Sequence, residues 1–351
     1  MRRRRVMGAV IAVGLLTTAC GADGASGTAA SGAATLNVTN ASTDLTGLAM
    51  FVAQSRGLFA KQDLTVNFTA GTLTTRPALL MSGKTDLIYD ATSVATNLAV
   101  KGRPVVDVYG LSGLTSSHEL WTSSTVRSIQ DLQQLDDCTL ATVSPGVTQG
   151  YARYWKEKFG LKCQISVVQD YQLIVAGVQA GTYEAGTVPV STISARPAGV
   201  NVPIVANSPD YPQLPGGEGA AIAGLLGMPD NLATKRTAVT RFIRGMLEAQ
   251  AIVDQATPEQ LVADVRTVDI FKAVLPDALL KQISIAKKQG WKDPTLGNKV
   301  GYISQTAYAN SISAMSYYGL EEFDTKDPRL AYDRSVDMSY YDAAEKPTTS
   351  G

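Results

Sequence analysis

From residue 35 onwards, short β-branched runs alternate with stretches whose apolar residues recur every three or four positions. That pattern predicts repeated strand–helix units around a mostly parallel sheet. Strands are expected at 35–40, 64–68, 85–89 and 104–110, with helices at 44–56, 74–82 and 92–100 between them. Gly57, Gly83 and Gly102 stand where each of those helices should stop. The run at 118–124 leads into Ser128 and Asp131, spaced as a capping pair, and the rhythm begins again. Its strands are expected at 138–143, 163–168, 182–188 and 202–207, with helices at 148–159 and 171–180 closed by Gly160 and Gly181. A Pro/Gly-rich stretch at 208–219 ends the second series. One more apolar run at 220–226 follows, and then the pattern becomes helical, at 232–254, 276–288 and 303–318. Thr257, Pro258 and Gln260 mark a further helix start between the first two of these.

The first twenty residues interrupt this picture. Four arginines precede about ten apolar or small residues, a segment too short to span a bilayer and flanked as an export signal is. It ends in Thr-Thr-Ala-Cys at 17–20, which resembles the lipobox of bacterial lipoproteins, although Thr17 stands where an aliphatic residue is usual. The expectation is a signal peptide at 1–19 and lipidation of Cys20, the alternative being an ordinary secretory signal with Cys20 as a free thiol. The Gly/Ala/Ser-rich residues 20–34 would then form a flexible tether holding the folded part near a membrane.

Composition narrows the function classes. The 351 residues are 45% hydrophobic and 18% charged, which suits two globular domains and excludes both a disordered chain and a polytopic membrane protein. Lys plus Arg and Asp plus Glu both total 31, so loss of Arg2 to Arg5 leaves 27 basic residues against 31 acidic and no footprint for nucleic acid. Beyond Cys20 only Cys138 and Cys163 remain, each opening a strand with one helix between them. In an oxidising compartment they are expected to form a disulfide, two separately buried thiols being the alternative. A single His, His118, and the lack of metal-ligand spacings point to no metal and no cofactor. His118 itself is expected near a lobe-crossing strand as a surface or hinge residue. Phosphate-cradling glycine loops and a serine-hydrolase elbow are missing too.

The order of short motifs is more specific than any one of them. Gly57-Leu58-Phe59 precedes a strand; Ser82-Gly83 with Asp86 precedes the next; Lys101-Gly102-Arg103-Pro104 forms a turn. Asp131-Leu132 then opens a helix, and Ala180-Gly181 with Glu184-Ala185 follows. Over about residues 35 to 320 this succession resembles the substrate-binding proteins of ABC importers, in the type II periplasmic-binding-protein branch that serves nitrate, taurine and alkanesulfonates and the pyrimidine precursor of thiamine. The resemblance implies a two-lobe α/β fold with two hinge crossings and a helical C-terminal segment packed on the first lobe. Residues 35–120 with 209–342 would form lobe 1, residues 121–208 lobe 2, and residues 343–351 a disordered tail. It implies a monomer that does no chemistry, closes its lobes on a small molecule and delivers it to an ABC permease. An anion binder of the same fold, the ligand-binding partner of a sensor, and an enzyme of the pyrimidine-biosynthesis type stay open as alternatives.

Ligands of open α/β sheets sit off the carboxyl ends of strands. The residues expected there are Thr43, Asp44, Thr72, Arg76, Tyr89, Asp90 and Thr92 in lobe 1, with Ser144, Gly146, Thr148, Gln149, Tyr171 and Thr187 in lobe 2. Hydroxyls, small residues and Tyr suit a small polar or flat ligand. Thr43, Asp44, Thr72, Asp90 and Ser144 would serve equally as helix caps. Arg76, a cation in a first helical turn, asks for a partner: a ligand anion, or else Asp44 or Asp90. With carboxylates at the cleft mouth, a neutral or weakly basic organic solute is favoured over an anion.

Overall fold

The computed structural model describes residues 33–41, 45–72, 74–113, 118–143, 147–189, 202–211, 219–318 and 324–346. The sites expected at Cys20, Thr43, Asp44, Ser144 and Gly146 lie outside the described residues, as does residue 73.

The first series runs β1 (Ala34–Ala41), α1 (Leu48–Ser55), β2 (Leu64–Gly71), α2 (Thr75–Met81), β3 (Leu87–Ala91), α3 (Thr92–Val100) and β4 (Val106–Gly113). The second runs β5 (His118–Thr122), α4 (Ile129–Gln133), β6 (Thr139–Val143), α5 (Val147–Phe159), β7 (Gln164–Val168), α6 (Tyr171–Ala180), β8 (Ala185–Pro189) and β9 (Ile204–Asn207). The chain then returns through β10 (Ala221–Gly227) to the helical segment. That segment comprises α7 (Pro229–Thr234), α8 (Arg236–Gln255), α9 (Pro258–Val265), α10 (Pro276–Gln289), α11 (Gln305–Tyr318), α12 (Tyr332–Ser335) and α13 (Ser339–Glu345). A two-residue hairpin of β11 (Lys292–Asp293) and β12 (Lys299–Val300) precedes α11. Among the described residues no helix is long and apolar enough to cross a membrane.

Two five-stranded sheets result, ordered β2-β1-β3-β10-β4 and β7-β6-β8-β5-β9. Their plans are the same. In each, four strands run parallel and the fourth position is held by one antiparallel strand, β10 or β5, that has just crossed from the other series. Four residues separate Gly113 from His118, a reach of at most about 18 Å. Ala221 lies beside Gly113, and Glu119 beside Asn207. Both crossings therefore join the carboxyl end of one sheet to the carboxyl end of the other.

Local chemistry accounts for the elements. Ser128 accepts the Asp131 amide, Asp170 accepts the Leu173 amide, and Thr257 with Gln260 makes a complete capping box. Gly57 and Gly181 end their helices at φ of 66° and 73°, where a side chain would be strained. α1 and α8 pack across the first sheet through Phe51, Phe59, Phe68, Phe242 and Phe271, with neighbouring rings 4.7–6.5 Å apart. The second core is built around Tyr151 and Trp155 of α5 and the bond between Cys138 and Cys163. That disulfide joins the residues leading into β6 and β7, where the strand starts were expected to meet.

Three expectations need correction. The strand expected to end at residue 89 continues to Ala91, because Tyr89 and Asp90 pair with Leu225 and Gly224 of β10. The tail expected to be disordered from residue 343 is helical through Glu345: Ala344 is buried, and Arg244 donates to the carbonyls of Ala343 and Ala344 at 3.2 and 3.0 Å. His118 is not a surface residue; it is 4% exposed at the start of β5. The helical segment packs mainly on the first sheet as expected, but α11 reaches further. Ala307, Tyr308 and Ile312 belong to the first core, whereas Ala314 and Met315 belong to the second, beside α5. There Arg153 donates to the Tyr317 carbonyl at 2.9 Å and the Tyr317 hydroxyl donates to Glu157 at 2.6 Å.

The disulfide closes a separation of 25 residues, worth about 3 kcal/mol in the chain-entropy account. Reduction, or replacement of both Cys138 and Cys163 by Ala, is expected to lower the melting temperature by roughly 5–10 °C in scanning calorimetry. An unchanged transition would place the bond outside the folded core.

Candidate functional site

At the carboxyl end of the first sheet, α2 delivers Arg76 and β3 delivers Asp90. Both are buried, 2% and 1% exposed, and they touch through one contact of 3.2 Å between Arg76 Nη2 and Asp90 Oδ1. The same Oδ1 also accepts the Ala91 amide at 2.9 Å. Among the described residues, Asp90 Oδ2, Arg76 Nε and Arg76 Nη1 have no hydrogen-bond partner. Buried ion pairs persist when both forks are filled, since the pair's attraction must offset the desolvation of two charges. This one is half filled. Burial raises the Asp90 pKa to about 6, against the lowering effect of Arg76 and of the Ala91 amide. The guanidinium also lies over the Tyr89 ring, 5.3 Å from its centroid. Of the partners foreseen for Arg76, the structure supplies Asp90.

Gly71 makes this placement possible. A Cβ there would come 2.7 Å from Arg76 Cγ and 2.7 Å from Thr39 Cγ2, so any larger residue would push the arginine aside. Thr72 behaves as a cap: its hydroxyl accepts the Thr75 amide, and the Thr75 hydroxyl accepts the Thr72 amide. Thr92 donates to the Ala221 carbonyl at 3.0 Å and so ties the start of α3 to the strand arriving from the second series. It also lines a small internal cavity with Asp107, Tyr308, Ser311 and Ser335. Burial lifts the Asp107 pKa to about 8, although the amides of Tyr109 and Leu225 donate to its carboxyl. Thr92 thus serves the hinge and the interior.

On the second sheet, His118 Nε2 and Thr148 Oγ1 are 2.9 Å apart, and Thr148 Oγ1 and the Tyr171 hydroxyl 3.0 Å. β5, the first turn of α5 and the first turn of α6 are thereby linked by one polar chain. The His118 ring stacks on Tyr151 with centroids 4.3 Å apart, and its amide donates to Ser208 at 3.0 Å. Burial depresses its pKa to about 3, so the ring is neutral near pH 7. Thr187, on β8 beside Leu120 of β5, is fully buried with a hydroxyl that has no partner. Gln149 is half-buried on α5. Thr148, Tyr171 and Thr187 were foreseen. His118 was not, because a lone histidine opening a strand carries no spacing that marks it, and its ring is buried against Tyr151 and Thr148 of α5.

Among the described residues no group of three or more His, Cys, Asp or Glu side chains is placed to hold a metal ion. Among the described residues at these ends, Arg76 and Asp90 offset each other, beside a neutral imidazole and the buried Glu119 of β5, which accepts from the Trp121 indole at 2.7 Å.

Comparison with known proteins agrees with this architecture. Residues 44–208, from the turn before α1 to the residue after β9, match the family model described as NMT1/THI5 like. No curated protein matches the chain in sequence. Among solved structures, the ligand-binding component of an ABC-type import system from Staphylococcus aureus, with zinc bound, superposes with a TM-score of 0.67 at 11% identity, over 90% of this chain and 100% of that one. The periplasmic nitrate-binding protein NrtA of Synechocystis PCC 6803 gives 0.65 at 15% identity, over 88% of each chain. The periplasmic aliphatic sulphonate binding protein SsuA of Escherichia coli gives 0.59 at 13% identity, over 87% of this chain and 91% of that one. The fold is the two-lobe fold of the periplasmic binding proteins, and the resemblance read from the motif order holds at the level of the fold.

The depressed pKa of His118 predicts a pH effect of defined sign. Its contribution is complete above its unfolded value of 6.5 and is lost as pH falls towards the folded value of about 3. The raised values of Asp90 and Asp107 act in the opposite direction over the same range. Against His118→Gln, which retains a polar partner for Thr148, the wild type should therefore lose about 2 kcal/mol more stability between pH 7 and pH 5. Urea unfolding at the two pH values measures the difference; parallel losses would show that the ring is solvated.

Proposed function

We propose that this chain is the extracytoplasmic solute-binding component of an ABC importer, tethered to the membrane by lipid on Cys20, which closes two lobes on a small organic molecule and presents it to a permease. The observation that carries the reading is a set of buried polar atoms left unmatched at the carboxyl ends of the sheets: Arg76 Nε and Nη1, Asp90 Oδ2 and Thr187 Oγ1. Buried donors and acceptors are nearly always paired, and an unmatched group costs about 1–3 kcal/mol. Several at the ends where ligands of α/β sheets bind are accounted for by a solute that completes them. The fold supports the same role, and two single-chain crossings between the sheets suit lobes that move relative to each other. The enzyme alternative gains nothing from His118, since a ring held near pKa 3 is a weak base at neutral pH.

Thr187→Val removes an unmatched hydroxyl at nearly constant shape, and Arg76→Gln removes the cation while leaving a donor. Each is expected to weaken solute binding about tenfold or more, read as loss of the solute-induced rise in melting temperature, with the solute-free transition of Thr187→Val unchanged. Full affinity in both variants would sink the assignment.

For the anchor, cells expressing the full chain and fed labelled palmitate should yield a labelled protein that fractionates with membranes, and Cys20→Ala should abolish both. A soluble, unlabelled wild type would leave an ordinary secretory signal.

A further inference from the structure

The Arg76–Asp90 pair carries more than the presence of a site; it limits what the solute can be. Nε and Nη1 are bonded to the same guanidinium carbon as the paired Nη2, and Oδ2 to the same carboxyl carbon as the paired Oδ1. The unspent donors and the unspent acceptor thus belong to two groups joined by one contact between a strand and a helix. Tyr89 backs the guanidinium from one face, and Gly71 leaves room for its stem.

Charge counting then decides between solute classes. Arg76 and Asp90 sum to zero within the pair, and on the other sheet the His118 ring is neutral while the buried Glu119 accepts from the Trp121 indole. A strong anion accepted by Arg76 would sit beside the Asp90 carboxylate and would be repelled by it in a poorly screened interior. A cation accepted by Asp90 would meet the guanidinium. A solute that offers an acceptor and a donor on neighbouring atoms, with no net charge, satisfies both halves at once.

We propose that the Arg76–Asp90 pair is a specificity-determining reader of an uncharged amide-type edge, in which a carbonyl or ring nitrogen of the solute accepts from Arg76 and an adjacent N–H donates to Asp90. Lactams, carboxamides and nitrogen heterocycles with such an edge form the class. This deepens the solute-binding reading and rests on it.

The test compares edges on constant scaffolds. Acetamide, acetate and acetamidine, and benzamide, benzoate and benzamidine, are titrated at millimolar concentration against the full-length protein, with nitrate and propanesulfonate alongside, by thermal shift and calorimetry at pH 7.5. The amides are expected to raise the melting temperature, and the acids and amidines to give at most a tenth of that affinity. In Asp90→Asn the carboxamide replaces an acceptor with a donor, so the preference should move towards benzoate and acetate, an exchange that a purely structural pair would not produce. The wild-type comparison stands even if that variant folds poorly.

Binding of propanesulfonate, nitrate or benzoate ahead of the amides, or of anions with an affinity that climbs as pH drops through 6, overturns the inference and leaves the solute-binding role intact. Equal response to amide, acid and amidine overturns it too. No response to any probe also overturns it, and a broad solute library that likewise fails would remove the solute-binding role itself.

Discussion

A strand that enters a parallel sheet at the carboxyl end of its neighbours must run against them. β5 and β10 both do so, and everything else in the arrangement depends on it. Both crossings link carboxyl end to carboxyl end, and the four residues between Gly113 and His118 keep the carboxyl ends of the two sheets within reach of each other. Backbone polar groups at strand ends and first helical turns are the ones the ladders leave over. The connectivity thus gathers unsatisfied groups from two sheets into one place, before any side chain is chosen.

The side chains then set the character of that place. An ordinary folded core would be expected to fill both forks of a buried arginine–carboxylate pair or to exchange the pair for apolar residues of similar volume, which is often as stable or more so. Here a single contact joins the two, and the surrounding backbone reinforces it: the Ala91 amide on Asp90, the Tyr89 ring against the guanidinium, the absence of a side chain at Gly71. That single contact leaves two donors and one acceptor without a partner among the described residues. The second lobe is organised differently, with His118, Thr148 and Tyr171 satisfying one another and Thr187 left over.

Much of this was legible from the chain. Period-two and period-three-to-four runs marked the strands and helices, glycines marked their ends, and the capping pairs at Ser128 and Thr257 are formed as spaced. The partner of Arg76 was narrowed to two acidic residues or a ligand, and pairing with β10 determined the outcome by drawing Asp90 into the strand. What sequence could not convey is long-range: His118 is buried against Tyr151 and Thr148 of α5, about 30 residues later, and α13 is ordered by Arg244, about 100 residues before it. Thr72 and Thr92 show the limit of composition as a guide. A hydroxyl beside a strand end is equally suited to a cap, a tie or a contact, and only its partner tells which.

The reach of α11 has a mechanical consequence. Its first half is embedded in one core and its second half in the other, against α5. The lobes are therefore not two plates on a pair of strings. Any swing between them must either bend this helix or slide Ala314 and Met315 across Tyr151 and Trp155, so resting posture is governed by a greasy bearing rather than by the connecting strands alone. On the proposed solute-binding reading, whatever tightens or loosens that bearing would alter affinity through residues that never approach the solute.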